Sequence, residues 1–126
     1  MDKVELSRRT KDFALLVLKL VDALPKGTEA RAIGSQLVRS GTSVGANYRS
    51  SLRGRSRAEW LSKMNICLEE ADESIYWLEL IIEAALLPRT RVEPLHHEAT
   101  EITAIFAAAI KTARAAGDQP RSAQKS

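Results

Sequence analysis

The sequence predicts an all-α fold, an antiparallel up-down-up-down four-helix bundle. Three observations carry that prediction. Apolar residues recur at three- and four-residue spacings in four separate segments, a pattern that only a helix gathers onto one face. Pro25-Lys26-Gly27, Gly54 and Pro88 interrupt the pattern, so the segments are joined by short connections that force sequential helices antiparallel. Phe, Trp and Tyr number two each, so the core must be mostly Leu, Ile, Val and Ala. A chain of 126 residues fits one domain, with residues 1–117 forming the bundle. Residues 118–126 lack apolar periodicity and are expected to be a flexible tail.

The first helix is expected from Asp2 or Val4 to Leu24. Its apolar line is Leu6, Phe13, Val17, Leu20 and Leu24, with Leu16 and Val21 widening the stripe. Pro25 stops it because proline cannot continue the hydrogen-bond ladder. Thr28 is the expected N-cap of the second helix, with Glu29 suited to the dipole in its first turn. The line Ile33, Leu37, Gly41, Val44, Tyr48, Leu52 keeps helical phase across Ser40–Ser43. That continuity favours one helix over two short ones, although Gly34, Gly41 and Gly45 each cost about 1 kcal/mol against alanine. Close approach of another helix would account for these small residues.

Gly54 is expected to end the second helix, and Ser56 with Glu59 forms a Ser-x-x-Glu capping box for the third. The third runs from Arg57 to Leu87, where Pro88 stops it. Its seam is Leu61, Met64, Leu68, Ala71, Ile75, Leu78, Ile82 and Ala85, spaced 3, 4, 3, 4, 3, 4, 3. A helix of 31 residues is a rod of about 46 Å, and with an apolar seam it needs partner helices. Trp60, Trp77 and Ile81 lie off that seam, which predicts contact with more than one neighbour. The fourth helix begins near Val92 or Glu93, with Pro94 in its first turn. Its line is Leu95, Ala99, Ile102, Phe106, Ala109 and Ala113, and Gly117 ends it.

Composition excludes several classes. Charged residues at Asp2, Lys3, Glu5, Arg8 and Arg9 break any signal-peptide core, and no run of 18 uncharged apolar residues can span a membrane. The single cysteine, Cys67, cannot form an internal disulfide, which suits a reducing cytoplasm; it reads as a small buried hydrophobe. Net charge is +3, unevenly spread: residues 1–57 sum to +7 and residues 58–117 to −5. Such asymmetry suits complementary subunit contacts or a polyanion-binding face.

The run from Ile33 to Tyr48 (IGSQLVRSGTSVGANY), followed by Glu69-Glu70-Ala71-Asp72-Glu73-Ser74-Ile75-Tyr76-Trp77-Leu78, resembles a bacterial family of four-helix-bundle proteins encoded in intervening sequences of 23S rRNA genes. The most specific parts are Gln-Leu-x-Arg-Ser-x-x-Ser-Val-x-Ala-Asn and Tyr-Trp-Leu, and the likeness extends over about residues 5–117. The resemblance implies a four-helix bundle, assembly as a cyclic homopentamer, and a distant relation to the basic accessory protein of diversity-generating retroelements, which binds nucleic acid and its reverse transcriptase. It implies no established activity. Where family members often carry an acidic residue after the Asn-Tyr pair, this chain has Arg49-Ser50-Ser51, which makes it more basic there.

Arg31, Arg39, Arg49, Arg53, Arg55 and Arg57 lie in a stretch with no acidic residue. Arginine forks match phosphate, and clustered cations without base-reading motifs favour salt-sensitive backbone binding. Arg39, Arg49, Arg53, Arg55 and Arg57 are therefore candidates for RNA or DNA contact. The competing reading pairs the same arginines with Glu69, Glu70, Asp72, Glu73, Glu79 or Glu83, within or between subunits. Gln36, Ser43 and Asn47 share a helical neighbourhood with Arg39 and suggest a polar network that fixes helix register. Glu93, His97 and Glu101 fall at i, i+4, i+8, but a di-iron bundle needs two Glu-x-x-His motifs and only Glu93-x-x-His96 occurs. No metal and no cofactor are predicted, and no catalytic motif is found. The expected function is a non-enzymatic oligomeric module associated with nucleic acid; the alternative is a protein-interaction scaffold whose arginines serve only ion pairs.

Overall fold

A computed structural model describes residues 1–117. They form four helices and no strand: α1 Lys3–Asp22, α2 Thr28–Leu52, α3 Arg57–Glu83 and α4 Arg89–Gly117. The sequence reading of an all-α four-helix bundle is correct. Each helix packs on the next and α4 returns to α1, while the backbones of the diagonal pairs stay apart and meet only through core side chains such as Tyr48 and Phe106. Contacts set the directions. Gly41 lies against Val17 and Gly45 against Thr10, so α1 and α2 are antiparallel. Ser74 meets Ser40, and the Cys67 thiol meets the Val44 carbonyl, so α2 and α3 are antiparallel. His96 meets Glu79 and Arg57 meets Ala113, so α3 and α4 are antiparallel. The expected tail at 118–126 lies outside the described residues.

The core runs the length of the bundle through Phe13, Val17, Leu37, Val44, Leu78, Ile102 and Phe106. The Tyr48 and Phe106 rings meet at a tilted 5.9 Å. α2 is continuous through Ser40–Ser43, because its glycines admit α1 closely. Asp2 caps α1 by accepting from the Glu5 N–H at 2.8 Å. Ser56 caps α3 by accepting from the Glu59 N–H at 3.1 Å, and the Glu59 carboxylate reaches back to the Arg55 N–H.

Several boundaries and faces differ from expectation. Thr28 is the first helical residue, and Gly27 occupies the cap position at φ 150 with no side chain to donate to. α3 ends at Glu83 rather than Leu87, because Ala85 turns the chain with φ 55. α4 starts at Arg89, so Pro94 sits inside the helix rather than in its first turn. The centre of the buried face of α3 is Met64, Cys67, Ala71, Ser74, Leu78 and Ile81, with Leu61, Leu68, Ile75 and Ile82 flanking it. A helix held between two neighbours buries a broad face, and small residues occupy its centre where α2 approaches. Ile81 is thus central, not peripheral. In α4, Ile110 rather than Ala109 or Ala113 completes the buried line. Leu16 does not widen the α1 stripe; it is 50% exposed, beside Leu15 and Leu18.

Candidate functional site

Alternating helix direction puts the N-termini of α1 and α3 and the C-termini of α2 and α4 at one end of the bundle. This end, residues 1–12, 42–68 and 103–117, holds eleven Lys/Arg against four Asp/Glu, a net charge of +7. The other described half, residues 13–41 and 69–102, holds six against eleven, a net of −5. Charge is therefore sorted along the bundle axis. Lys3, Lys63, Lys111 and Arg114 belong to the basic end and were missed in the sequence, because their placement needs the threading of the helices.

The five candidate arginines have three different fates. Arg39 projects from the middle of α2 onto α3, where it donates to Glu70 at 2.9 Å and also pairs with Glu73. Its Nε donates to Gln36 at 3.2 Å. Arg57, at the start of α3, donates to the Ala113 carbonyl near the end of α4, where a cation suits the helix dipole. Arg49, Arg53 and Arg55 are exposed at the α2–α3 corner, and their side chains have no carboxylate partner among the described residues. Arg49 lies in the last turn of α2, Arg53 caps it, and Arg55 stands in the connection. With Ser50, Ser62 and Lys63, Arg53 and Arg55 line a surface hollow of about 390 Å³, which also contains Glu59. Hydroxyls and guanidinium forks around one concavity suit an oxyanion such as phosphate.

The polar set on α2 divides in two. Gln36 bonds Arg39, while the Asn47 amide donates to its own helix at the Ser43 carbonyl, 2.9 Å away. No side-chain hydrogen bond among the described residues joins the two pairs. Ser40 instead forms a buried hydroxyl contact with Ser74 at 2.9 Å, which ties α2 to α3.

Several other titratable groups are committed to structure. Arg9 on α1 donates to Glu98 at 2.6 and 2.8 Å and to Glu101, closing α1 onto α4. Hydrogen bonding to Glu98 raises the Arg9 pKa further above its already high value. The sequence pattern did not reveal this clamp, because nothing local couples residues so far apart. Glu101 also meets His97 at 3.1 Å, Glu79 meets His96 at 3.2 Å, and Glu93 meets Arg89 at 3.7 Å. No group of three or more His, Cys, Asp or Glu among the described residues is arranged to hold a metal ion. Burial pushes the Cys67 thiol up to about 12, so it is a poor nucleophile at neutral pH. No helix among the described residues is long and apolar enough to cross a membrane.

These features define an antiparallel four-helix bundle with a strongly basic end. Residues 2–108 match the family described as 23S rRNA-intervening sequence protein, and the chain belongs to that family. A solved structure of a protein of unknown function from the S23 ribosomal protein family of Bacteroides thetaiotaomicron is similar to it, with 34% identity and a TM-score of 0.81 over 88% of this chain and 99% of that one. No curated protein matches.

Proposed function

We propose that the chain is a non-enzymatic, oligomeric module that associates with RNA through the arginines of its basic end. The carrying observation is the α2–α3 corner, where the Arg49, Arg53 and Arg55 side chains are exposed and form no ion pair with a described carboxylate, the Glu59 carboxylate beside them being engaged by the Arg55 backbone N–H. An ion pair within the chain accounts for Arg39, as the interaction-scaffold reading expects, whereas the corner side chains have no such pair among the described residues. Phosphate neutralisation by such a cluster gives affinity that falls steeply with salt and reads sequence weakly. Several copies would add their corners into one multivalent surface. Leu15, Leu16 and Leu18, exposed together on α1, support self-association, and the resemblance to the family favours a ring of five.

A mobility-shift titration with a structured RNA across a salt series tests the reading. Wild-type protein should bind at low salt and release as salt rises. The combined Arg49→Glu, Arg53→Glu, Arg55→Glu variant should bind about 100-fold more weakly at low salt; unchanged binding refutes the proposed face. Light scattering tests the assembly, with Leu15→Glu plus Leu18→Glu expected to yield monomer.

A further inference from the structure

We infer that the basic end also seats an unpaired base of single-stranded nucleic acid, stacked against Trp60 in an apolar hollow, while neighbouring cations hold the flanking phosphates. This rests on the RNA-associated reading above and names the form of nucleic acid preferred.

The hollow follows from unequal helix lengths. α1 has 20 residues, about 30 Å, whereas α4 has 29, about 43 Å. The clamp from Arg9 to Glu98 and Glu101 sets their register. The last turns of α4, about three of them, therefore run past the start of α1. The uncovered space is a hollow of about 650 Å³ whose walls include Leu6, Tyr48, Leu52, Trp60, Ile105 and Ala109. Its volume lies in the range of small-molecule sites. Trp60 is only partly buried, and Leu52 remains 37% exposed. Alanines on this part of α4, including Ala108, Ala113 and Ala116, keep the floor low.

The surroundings select the occupant. Among the described residues no Asp or Glu lines the hollow, and Lys3 does. Arg57 lies at its edge, since it donates to the carbonyl of Ala113, which is part of the wall. Arg53 and Arg55 belong to the connection that leads directly into Trp60. A flat apolar ligand attached to anions fits this juxtaposition, and a nucleobase on a phosphodiester backbone is such a ligand. Indole faces stack any base, whereas a duplex keeps its base faces covered.

Trp77 lies in the opposite half, so a Trp77→Phe background makes emission report Trp60 alone. Titration with a single-stranded adenine-rich RNA should quench that emission and show affinity about tenfold above that for a blunt duplex of equal length. Trp60→Leu should bring single-strand affinity down to the duplex level and leave duplex affinity unchanged. Trp60→Phe, which preserves a stacking ring, should keep most of the preference and controls for folding. Equal affinity for single strand and duplex, with no effect of Trp60→Leu, overturns the stacking site; if the arginine variant still weakens binding, the RNA-associated reading survives. Absence of binding to either RNA overturns both. A Trp60 emission shift that follows protein concentration without RNA places a second copy in the hollow and overturns the inference.

Discussion

In the half of the bundle that contains the α1–α2 and α3–α4 connections, Arg39 meets Glu70 and Glu73 across the α2–α3 seam. In the opposite half, the side chains of Arg49, Arg53 and Arg55 extend from the same helix and its connection and form no ion pair with a described carboxylate. Packing follows the same division. Gly34 and Gly41 let Val21 and Val17 press onto α2, whereas Gly45 has only ordinary contact with Thr10, and the end beyond it opens into the Trp60 hollow. One half is closed by its own groups; the other leaves exposed cations beside a hollow that Trp60 lines. Residue type does not decide this. Antiparallel threading does, because it places the acid-rich parts of α3 and α4 beside Arg39 and Arg9, and the α2–α3 corner, whose one described carboxylate is Glu59, beside the acid-free last turns of α4.

The largest expected effect would break the comparison outright if it failed. Reversing Arg49, Arg53 and Arg55 to Glu should weaken RNA binding by about 100-fold at low salt, because three phosphate contacts become three repulsions. Arg39→Glu should change binding by no more than about twofold, since Glu70 and Glu73 already neutralise it. Filter binding on both variants measures the contrast. Equal losses would mean that the two halves do not differ in function.

Packing offers the next test. A Cβ on Gly41 would lie 2.8 Å from Cγ2 of Val17, which is fully buried and stiff at χ1. Gly41→Ala should therefore cost about 1–2 kcal/mol, the overpacking strain exceeding the gain in helix propensity. A Cβ on Gly45 would lie 3.4 Å from the Thr10 carbonyl oxygen, an ordinary contact. Gly45→Ala should be neutral or stabilising by up to about 1 kcal/mol. Urea unfolding of both variants distinguishes a tight half from a loose one.

Much of the fold is legible because four segments keep helical phase. The Ser56–Glu59 cap and the unbroken α2 follow from that local logic. The centre of α3 is legible only in part: the seam drawn by spacing includes Met64, Ala71 and Leu78, which are central, but also Leu61, Leu68, Ile75 and Ile82, which are the flanks, and it omits Cys67, Ser74 and Ile81. Size marks how much a residue can bury, not which neighbour faces it. The site shows the same limit. The acid-free arginine run stands out in one dimension, but the capture of Arg39 depends on α2–α3 register. The addition of Lys63, Lys111 and Arg114 depends on which helix ends coincide. The Trp60 hollow depends on how far α4 outruns α1, which helix lengths hint at and only the Arg9 clamp fixes.

A smaller effect sits in the closed half. α3 ends in a Schellman-type turn: the Ala85 N–H donates to Ile82 and the Leu86 N–H to Ile81, both at 3.0 Å. The left-handed position is occupied by Ala85 at φ 55, a conformation that glycine adopts without its Cβ penalty. Ala85→Gly should raise stability by about 0.5–1 kcal/mol, the relieved strain being partly offset by the freer unfolded chain. RNA affinity should not change, because this turn lies at the far end from the arginines. Thermal melts and the mobility shift together check both statements.

The smallest effect concerns how the closed half holds its charge. The Glu73 carboxyl titrates below its ordinary value, first because the Trp77 indole N–H donates to it at 3.0 Å and then because Arg39 pairs with it. A depressed folded-state pKa means that the ionised form is favoured by folding. The stability it adds is complete above about 4.5, the ordinary glutamate value, and is lost as pH falls through the lower folded value. Its side chain is 36% exposed, so solvent screening limits the contribution to about 0.5 kcal/mol or less. Glu73→Gln should therefore reduce the loss of stability between pH 5 and pH 3 by about that amount. Trp77→Phe should move the Glu73 titration toward its ordinary value more than Arg39→Ala does, because the indole donor is the larger cause. Carboxyl carbon shifts followed by NMR would show the order. If Arg39→Ala moved it more, the ion pair to α2 rather than the aromatic donor on α3 itself would be what holds the Glu73 carboxylate ionised.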